Sequence, residues 1–119
     1  MSTSQFDATV ATRMIVLRRE RELRQHYFEQ IEGEASPRRV PLDGEQMIIG
    51  RAEDAAIAVP SKRASRHHAI LTRLGTDFVV TDNDSFNGVF LNGVKIYSAI
   101  LRDGDIIQIA DCSFVYREG

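Results

Sequence analysis

From residue 26 onward the chain is a succession of short β-prone runs: "HYFEQIEGE", "RRVPLDGE", "EQMIIGR", "AIAV", "HHAILTRL", "DFVVTD", "GVFLNGVKIY" and "GDIIQIADCSFVYRE". Gly, Asp, Asn or Pro interrupts them about every eight residues, a rhythm that belongs to an all-β sandwich or barrel. Asn92-Gly93, flanked by "VFL" and "VKI", is the strongest hairpin signal, because a type I′ turn needs positive φ at both central residues. "RDGD" at 102–105 predicts a further turn, and "IIQI" with "SFVY" beyond it a closing hairpin. With 119 residues and 43% apolar content, the chain can bury one core but hardly two, so a single domain is expected.

The first 25 residues differ in character. They hold Arg13, Arg18, Arg19, Arg21 and Arg24 against Asp7, Glu20 and Glu22, a local excess of positive charge in a chain whose formal net charge is −2. Residues 1–12 are small and polar and predict disorder. "RMIVLRRERELRQ" reads as a short basic helix, with Glu20 and Arg24 at i,i+4 spacing, or as a solvated linker. The expected organisation is therefore a flexible tail and basic segment over 1–25 and a domain over 26–119.

Several function classes drop out. A net negative charge argues against a general nucleic-acid binder, so any anion recognition must be local. No basic and apolar leader pattern follows Met1, and "MIVL" is far too short to span a bilayer, so neither export nor membrane insertion is expected. The single cysteine, Cys112, has no partner for an internal disulfide, which fits a reducing compartment and a cytoplasmic protein. No cofactor motif occurs: neither G-x-x-x-x-G-K-[ST] nor G-x-G-x-x-G is present.

The chemically richest stretch is "SKRASRHHAIL" at 61–71. Ser65 and His68 are not framed as a hydrolase pair, since no strained elbow and no orienting acid accompanies them. A metal site fails on geometry, because adjacent histidines in a strand point to opposite faces, and His26 and Cys112 show no ligand spacing. Two readings stay open: a solvated basic loop, or an anion cradle built from Arg51, Lys62, Arg63 and Arg66 with the Ser65 hydroxyl. A phosphate monoester, with about two negative charges and three acceptor oxygens, suits such a set of guanidinium forks and local donors.

Three stretches taken together resemble a known family. "MIIGR" at 47–51, "SRHHAIL" at 65–71 and "DSFNGVFLNG" at 84–93 match in order and spacing the forkhead-associated (FHA) domain, a phosphothreonine-binding module. The resemblance covers about residues 26–118. It implies a two-sheet antiparallel β-sandwich (FHA/SMAD-like) of about 10–11 short strands, preceded by an N-terminal extension. It also implies a binding module rather than an enzyme. Position by position, Gly50 would let the backbone fold closely, Arg51 and Ser65 would hold the phosphate, and Arg66, with Lys62 and Arg63 nearby, would add charge. His68 would brace the loops, Asn87 would fix the ligand main chain, and Gly88 would permit the turn presenting it. Where the family usually carries Thr or Ser before that Asn, this chain has Phe86, which cannot donate to phosphate through its side chain.

The partner so implied is a phosphothreonine-containing protein or peptide, switched on by an upstream Ser/Thr protein kinase. Some members of the family bind their own phosphorylated tail, which makes Thr3, Thr9 and Thr12 candidate phosphoacceptors. Two alternatives accompany this reading. One is a phosphate-independent interaction or dimerisation module, which Phe86 favours. The other is a regulatory N-terminal domain of a larger signalling enzyme, such as a cyclic-dinucleotide synthase.

Overall fold

The structure, a computed structural model, describes residues 25–119. The helix-or-linker expectation for residues 13–25 and all three tail threonines fall outside these residues, apart from Gln25 at the junction. Eleven strands follow in chain order: β1 (Tyr27–Glu32), β2 (Arg38–Pro41), β3 (Gln46–Gly50), β4 (Ile57–Ala58), β5 (Ala69–Leu74), β6 (Asp77–Asp82), β7 (Val89–Leu91), β8 (Val94–Ile96), β9 (Ser98–Ile100), β10 (Ile106–Ile109) and β11 (Cys112–Arg117). They form a six-stranded sheet, ordered β2-β1-β11-β10-β7-β8, and a five-stranded sheet, ordered β4-β3-β5-β6-β9. Of the sandwich and the barrel that the turn rhythm allows, this is the sandwich, as the family resemblance implies. Pairing is antiparallel throughout except between β3 and β4, which run parallel over two residue pairs.

Alternation explains how the sheets close on each other. Phe28, Ile49, Leu71, Phe78, Val80, Ile107, Ile109, Phe114 and Tyr116 all point inward and are essentially inaccessible to water. Each sheet thereby buries one face, and the two buried faces pack on each other. Phe28, Phe78, Phe114, Tyr116 and the His26 ring make tilted and edge-on contacts at centroid separations of 5.4–6.4 Å, which close one end of the core. Asn92 and Gly93 take φ values of 50° and 84° in the two-residue turn between β7 and β8, as the Asn-Gly signal requires. β10 and β11 form the closing hairpin.

The register also fixes which loops meet. Tyr27 pairs with Arg117, so the described chain enters and leaves the sandwich at one end. At the opposite end β3 stops at Gly50, β5 begins at Ala69, β6 stops at Asp82, β7 begins at Val89, and the β10–β11 turn reverses at Ala110 and Asp111. All the candidate site residues lie in the segments gathered there.

Candidate functional site

Gly50 sets the first approach. It is buried, and a Cβ at this position would lie 2.1 Å from the Arg66 carbonyl oxygen and 2.9 Å from the His68 nitrogen. Only a residue without a side chain lets the end of β3 lie against the segment before β5. The contact is then sealed by main-chain hydrogen bonds, Arg51 N to Ser65 O at 3.1 Å and Ala52 N to Arg66 O at 3.0 Å. Arg51 is exposed, and its Nε donates to the Ala64 carbonyl at 3.1 Å. One guanidinium donor is thus spent on orientation, and the fork beyond it carries the donors that a ligand would meet.

His68 binds the loops from below. Its ring is fully buried; Nδ1 accepts the Ser65 N–H at 3.0 Å, and Nε2 lies 2.7 Å from the Gly88 carbonyl. An acceptor at Nδ1 leaves the hydrogen on Nε2, so the neutral ring donates to Gly88. Gly88 takes φ = 85°, and a Cβ there would meet the stem of Lys95 at 2.7 Å. Ser65 Oγ accepts the Phe86 N–H at 3.0 Å, which leaves the hydroxyl hydrogen available to a ligand. Because the Ser65 hydroxyl meets Phe86 and not His68, no nucleophile–base pair exists between Ser65 and His68. The neighbouring His67 faces outward, 3.0 Å from the Asp54 carboxylate, and this hydrogen bond holds the Asp54 carboxyl below its ordinary pKa.

The third loop, 83–88, is held from inside. Ser85 N donates to Asp82 Oδ1 at 3.2 Å, Gly88 N donates to Ser85 Oγ at 2.9 Å, and Asn83 Nδ2 donates to the His67 carbonyl at 3.0 Å. Asn87 is exposed and reaches across to the second loop, its Nδ2 donating to the Arg63 carbonyl at 2.8 Å. Its Oδ1 acceptor and second N–H are not used in that bond. Phe86 projects its ring outward with 91% exposure.

The structure therefore brings together Gly50, Arg51, Ser65, Arg66, His68, Asn87 and Gly88, with Lys62 and Arg63 exposed on the segment leading to Ser65. Two further residues belong to the cluster. Ser61 Oγ donates to Asp111 Oδ2 at 2.8 Å, and the Arg63 guanidinium lies 3.4 Å from Asp111 Oδ1. Nothing in the spacing of the sequence announces Asp111, because only the β10–β11 turn carries it to the site. Between Arg63 and Asn87 opens a groove of about 370 Å³, floored by Phe90, Gln108 and Ala110. Among the described residues no group of three or more His, Cys, Asp or Glu side chains could hold a metal ion, and no helix is long and apolar enough to cross a membrane.

Hydrogen bonds inside this cluster account for orientation, and exposed at its surface are the cations Arg51, Lys62, Arg63 and Arg66, the Asn87 amide, the Phe86 ring and the Asp111 carboxylate. Guanidinium groups beside a hydroxyl form a surface suited to an anion.

Known proteins resemble the chain in sequence and in fold. The chain is 42% identical over 71 residues to the ABC transporter ATP-binding/permease protein Rv1747 of Mycobacterium tuberculosis, a match covering 60% of this chain and 8% of that protein. It is 42% identical over 84 residues to the transcriptional regulatory protein EmbR of the same species, covering 70% of this chain and 22% of the relative. The chain thus spans a minor part of the length of either. The structure of EmbR in complex with a low affinity phosphopeptide superposes with a TM-score of 0.77 at 32% identity, over 93% of this chain and 30% of that one. An FHA domain studied for its phosphothreonine-dependent interactions superposes at 0.73 with 26% identity, over 80% of this chain and 97% of that one. The family profile for the FHA domain matches residues 47–110, more than half of the sequence and all three loops. On the sandwich, the loop geometry and this match, the chain belongs to the FHA domain family.

Proposed function

We propose that this chain is a reader of phosphothreonine in an extended partner segment, with Arg51 and Ser65 receiving the phosphate. The observation that carries this reading is the way Ser65 is bonded. Its oxygen accepts the Phe86 N–H at 3.0 Å, so its O–H is left available on the segment whose Ser65 carbonyl accepts the Arg51 N–H at 3.1 Å. Arg66 and Lys62 add positive charge at the rim, and Asn87 hydrogen-bonds the ligand backbone beside the modified residue. Gly50, His68 and Gly88 keep the three loops at the required separation. An unphosphorylated threonine offers nothing for the cations to meet, so a Ser/Thr protein kinase acting on the partner switches binding on. The same charges make affinity fall with salt.

The relatives support the reading: EmbR was solved with a phosphopeptide, and another FHA domain was studied for phosphothreonine dependence. Residues 26–119 form the recognition domain and residues 1–25 a tail ahead of it. Thr3, Thr9 and Thr12 make that tail a candidate ligand, held at high effective concentration within the chain or across a pair. In a larger protein the domain supplies input to another activity.

The test is a titration of the chain with phosphothreonine peptides, one of them spanning residues 1–14, against their unphosphorylated twins. Arg51→Ala serves as the control and is expected to weaken binding about 10- to 150-fold, the worth of a hydrogen bond to a charged group. Phosphate-dependent binding weakened to that extent by the substitution establishes the reader, and a preference for the tail peptide establishes self-recognition. Binding indifferent to phosphate and to Arg51 would instead assign the chain to phosphate-independent interaction, with the exposed Phe86 ring as its contact.

A further inference from the structure

Asp111 stands at the β10–β11 turn, beside Ala110 with its φ of 53°. Its carboxylate meets the ligand loops twice. Oδ2 accepts the Ser61 hydroxyl at 2.8 Å, and Ser61 Oγ in turn accepts the Arg63 N–H at 3.1 Å. Oδ1 lies 3.4 Å from the Arg63 guanidinium, both side chains being more than half exposed. The Arg63 carbonyl then takes the Asn87 amide at 2.8 Å. A carboxylate at one turn is thereby joined, through Ser61 and Arg63, to the residue that faces the ligand main chain.

The groove that starts at Asn87 gives this linkage a consequence. Its lining is Arg63, Asn87, Phe90, Gln108 and Ala110, in which Arg63 is the one charged side chain. Phosphate affinity alone would favour leaving that guanidinium unpaired, since a carboxylate within a Debye length of about 8–10 Å weakens the field meeting an anion. Pairing Arg63 with Asp111 brings the charge of this pair near zero beside a floor of Phe90, Gln108 and Ala110, which carries no charge of its own.

We propose that Asp111 determines ligand specificity: by pairing with Arg63 it makes the groove beside Asn87 select an uncharged side chain of the phosphorylated segment over an acidic one. The inference rests on the phosphothreonine reading of the site. An aliphatic side chain gains contact with Phe90 and Ala110. An acidic one meets a guanidinium already engaged and a like charge next to it, so attraction and repulsion largely cancel.

The experiment uses the full 119-residue chain and phosphothreonine peptides in which each flanking position in turn carries Leu or Asp, together with their unphosphorylated twins. Asp111→Asn keeps an acceptor for Ser61 and removes only the charge. It is expected to shift the Leu/Asp affinity ratio towards Asp by about two- to five-fold, at one flanking position only, the span of an exposed charge pair. Adding Arg63→Gln is expected to cancel that shift. An unchanged ratio at every position would overturn the proposal, and so would equal weakening of all peptides, which is what a merely structural role produces. Should the wild-type chain prefer no phosphopeptide to its twin, the reader function itself falls and the inference with it, an outcome visible before any variant is made.

Discussion

The Phe86 main-chain N–H donates to Ser65 Oγ at 3.0 Å, while the Phe86 ring stands 91% exposed. The residue therefore serves the site through its backbone, and its side chain is replaceable. Phe86→Thr keeps the N–H and adds a hydroxyl beside the place where the phosphate is proposed to sit. It is expected to tighten phosphothreonine-peptide binding about ten-fold, the lower end for a hydrogen bond to a charged group. Stability should stay within about 0.5 kcal/mol of the parent. Calorimetric titration checks the first and urea unfolding the second; an unchanged affinity would place the phosphate out of reach of residue 86.

The two adjacent histidines are expected to behave in opposite ways. His68→Ala removes a fully buried ring and leaves the Ser65 N–H and the Gly88 carbonyl without their partner. A cavity and two stranded polar groups together cost about 2–5 kcal/mol. His67→Ala deletes only the exposed pair with Asp54 and should leave the urea midpoint where it was. Equal midpoints for the two variants would mean that the loops do not depend on the His68 bridge.

Much of this architecture was legible from the sequence because it is encoded locally. The Asn92-Gly93 turn needs two positive φ values, and the dipeptide that supplies them sits between alternating strands. Gly50, Ser65 and Asn87 could be singled out because the three stretches that carry them resemble the FHA pattern in order and spacing. The same reasoning missed whatever the closing of the sandwich assembles. Ser61 and Asp111 are fifty positions apart, and their hydrogen bond exists only because the β10–β11 turn returns to the loop ahead of β5. The bond from Asn87 Nδ2 to the Arg63 carbonyl, across two loops, belongs to the same class. Gln30 escapes notice for a different reason: it is fully buried, yet its amide is satisfied locally, by the Glu32 and Glu34 carbonyls and the Arg38 guanidinium. The parallel β3–β4 pairing is equally invisible in a two-residue strand.

Two glycines, one closing β3 and one in the β7–β8 turn, separate steric from conformational need. At Gly50 an added Cβ would lie 2.1 Å from the Arg66 oxygen, which itself accepts Ala52 N. Main chain must move, so Gly50→Ala is expected to cost about 3 kcal/mol or more and to abolish phosphopeptide binding. Gly93 has a φ of 84° but open space around its α-carbon. Gly93→Ala should cost only about 1–2 kcal/mol, the penalty of a left-handed residue, and leave binding intact. Thermal unfolding and peptide titration of both variants check the contrast, and a binding loss in Gly93→Ala would contradict the separation of the two ends of the sandwich.

Tyr116 makes stability depend on alkaline pH. Its side chain is fully buried on β11, its hydroxyl meets the His26 ring nitrogen, and burial, followed by the nearby carboxylates of Glu118, Asp77 and Asp103, pushes the phenol pKa well above its ordinary value of 10.0. The folded state therefore holds the proton more tightly than the unfolded chain. The corresponding stability is complete below pH 10.0 and is lost as pH rises beyond it, because the unfolded phenol ionises while the buried one does not. The decline can reach about 1.4 kcal/mol per pH unit for one such group. Tyr116→Phe is expected to lose about 1 kcal/mol at neutral pH with the hydrogen bond to His26 and to flatten the alkaline limb. Urea midpoints of the two proteins, measured from pH 8 to 11, should converge as pH rises. Parallel curves would show that the alkaline loss arises from other groups and that the Tyr116 phenol ionises equally in both states.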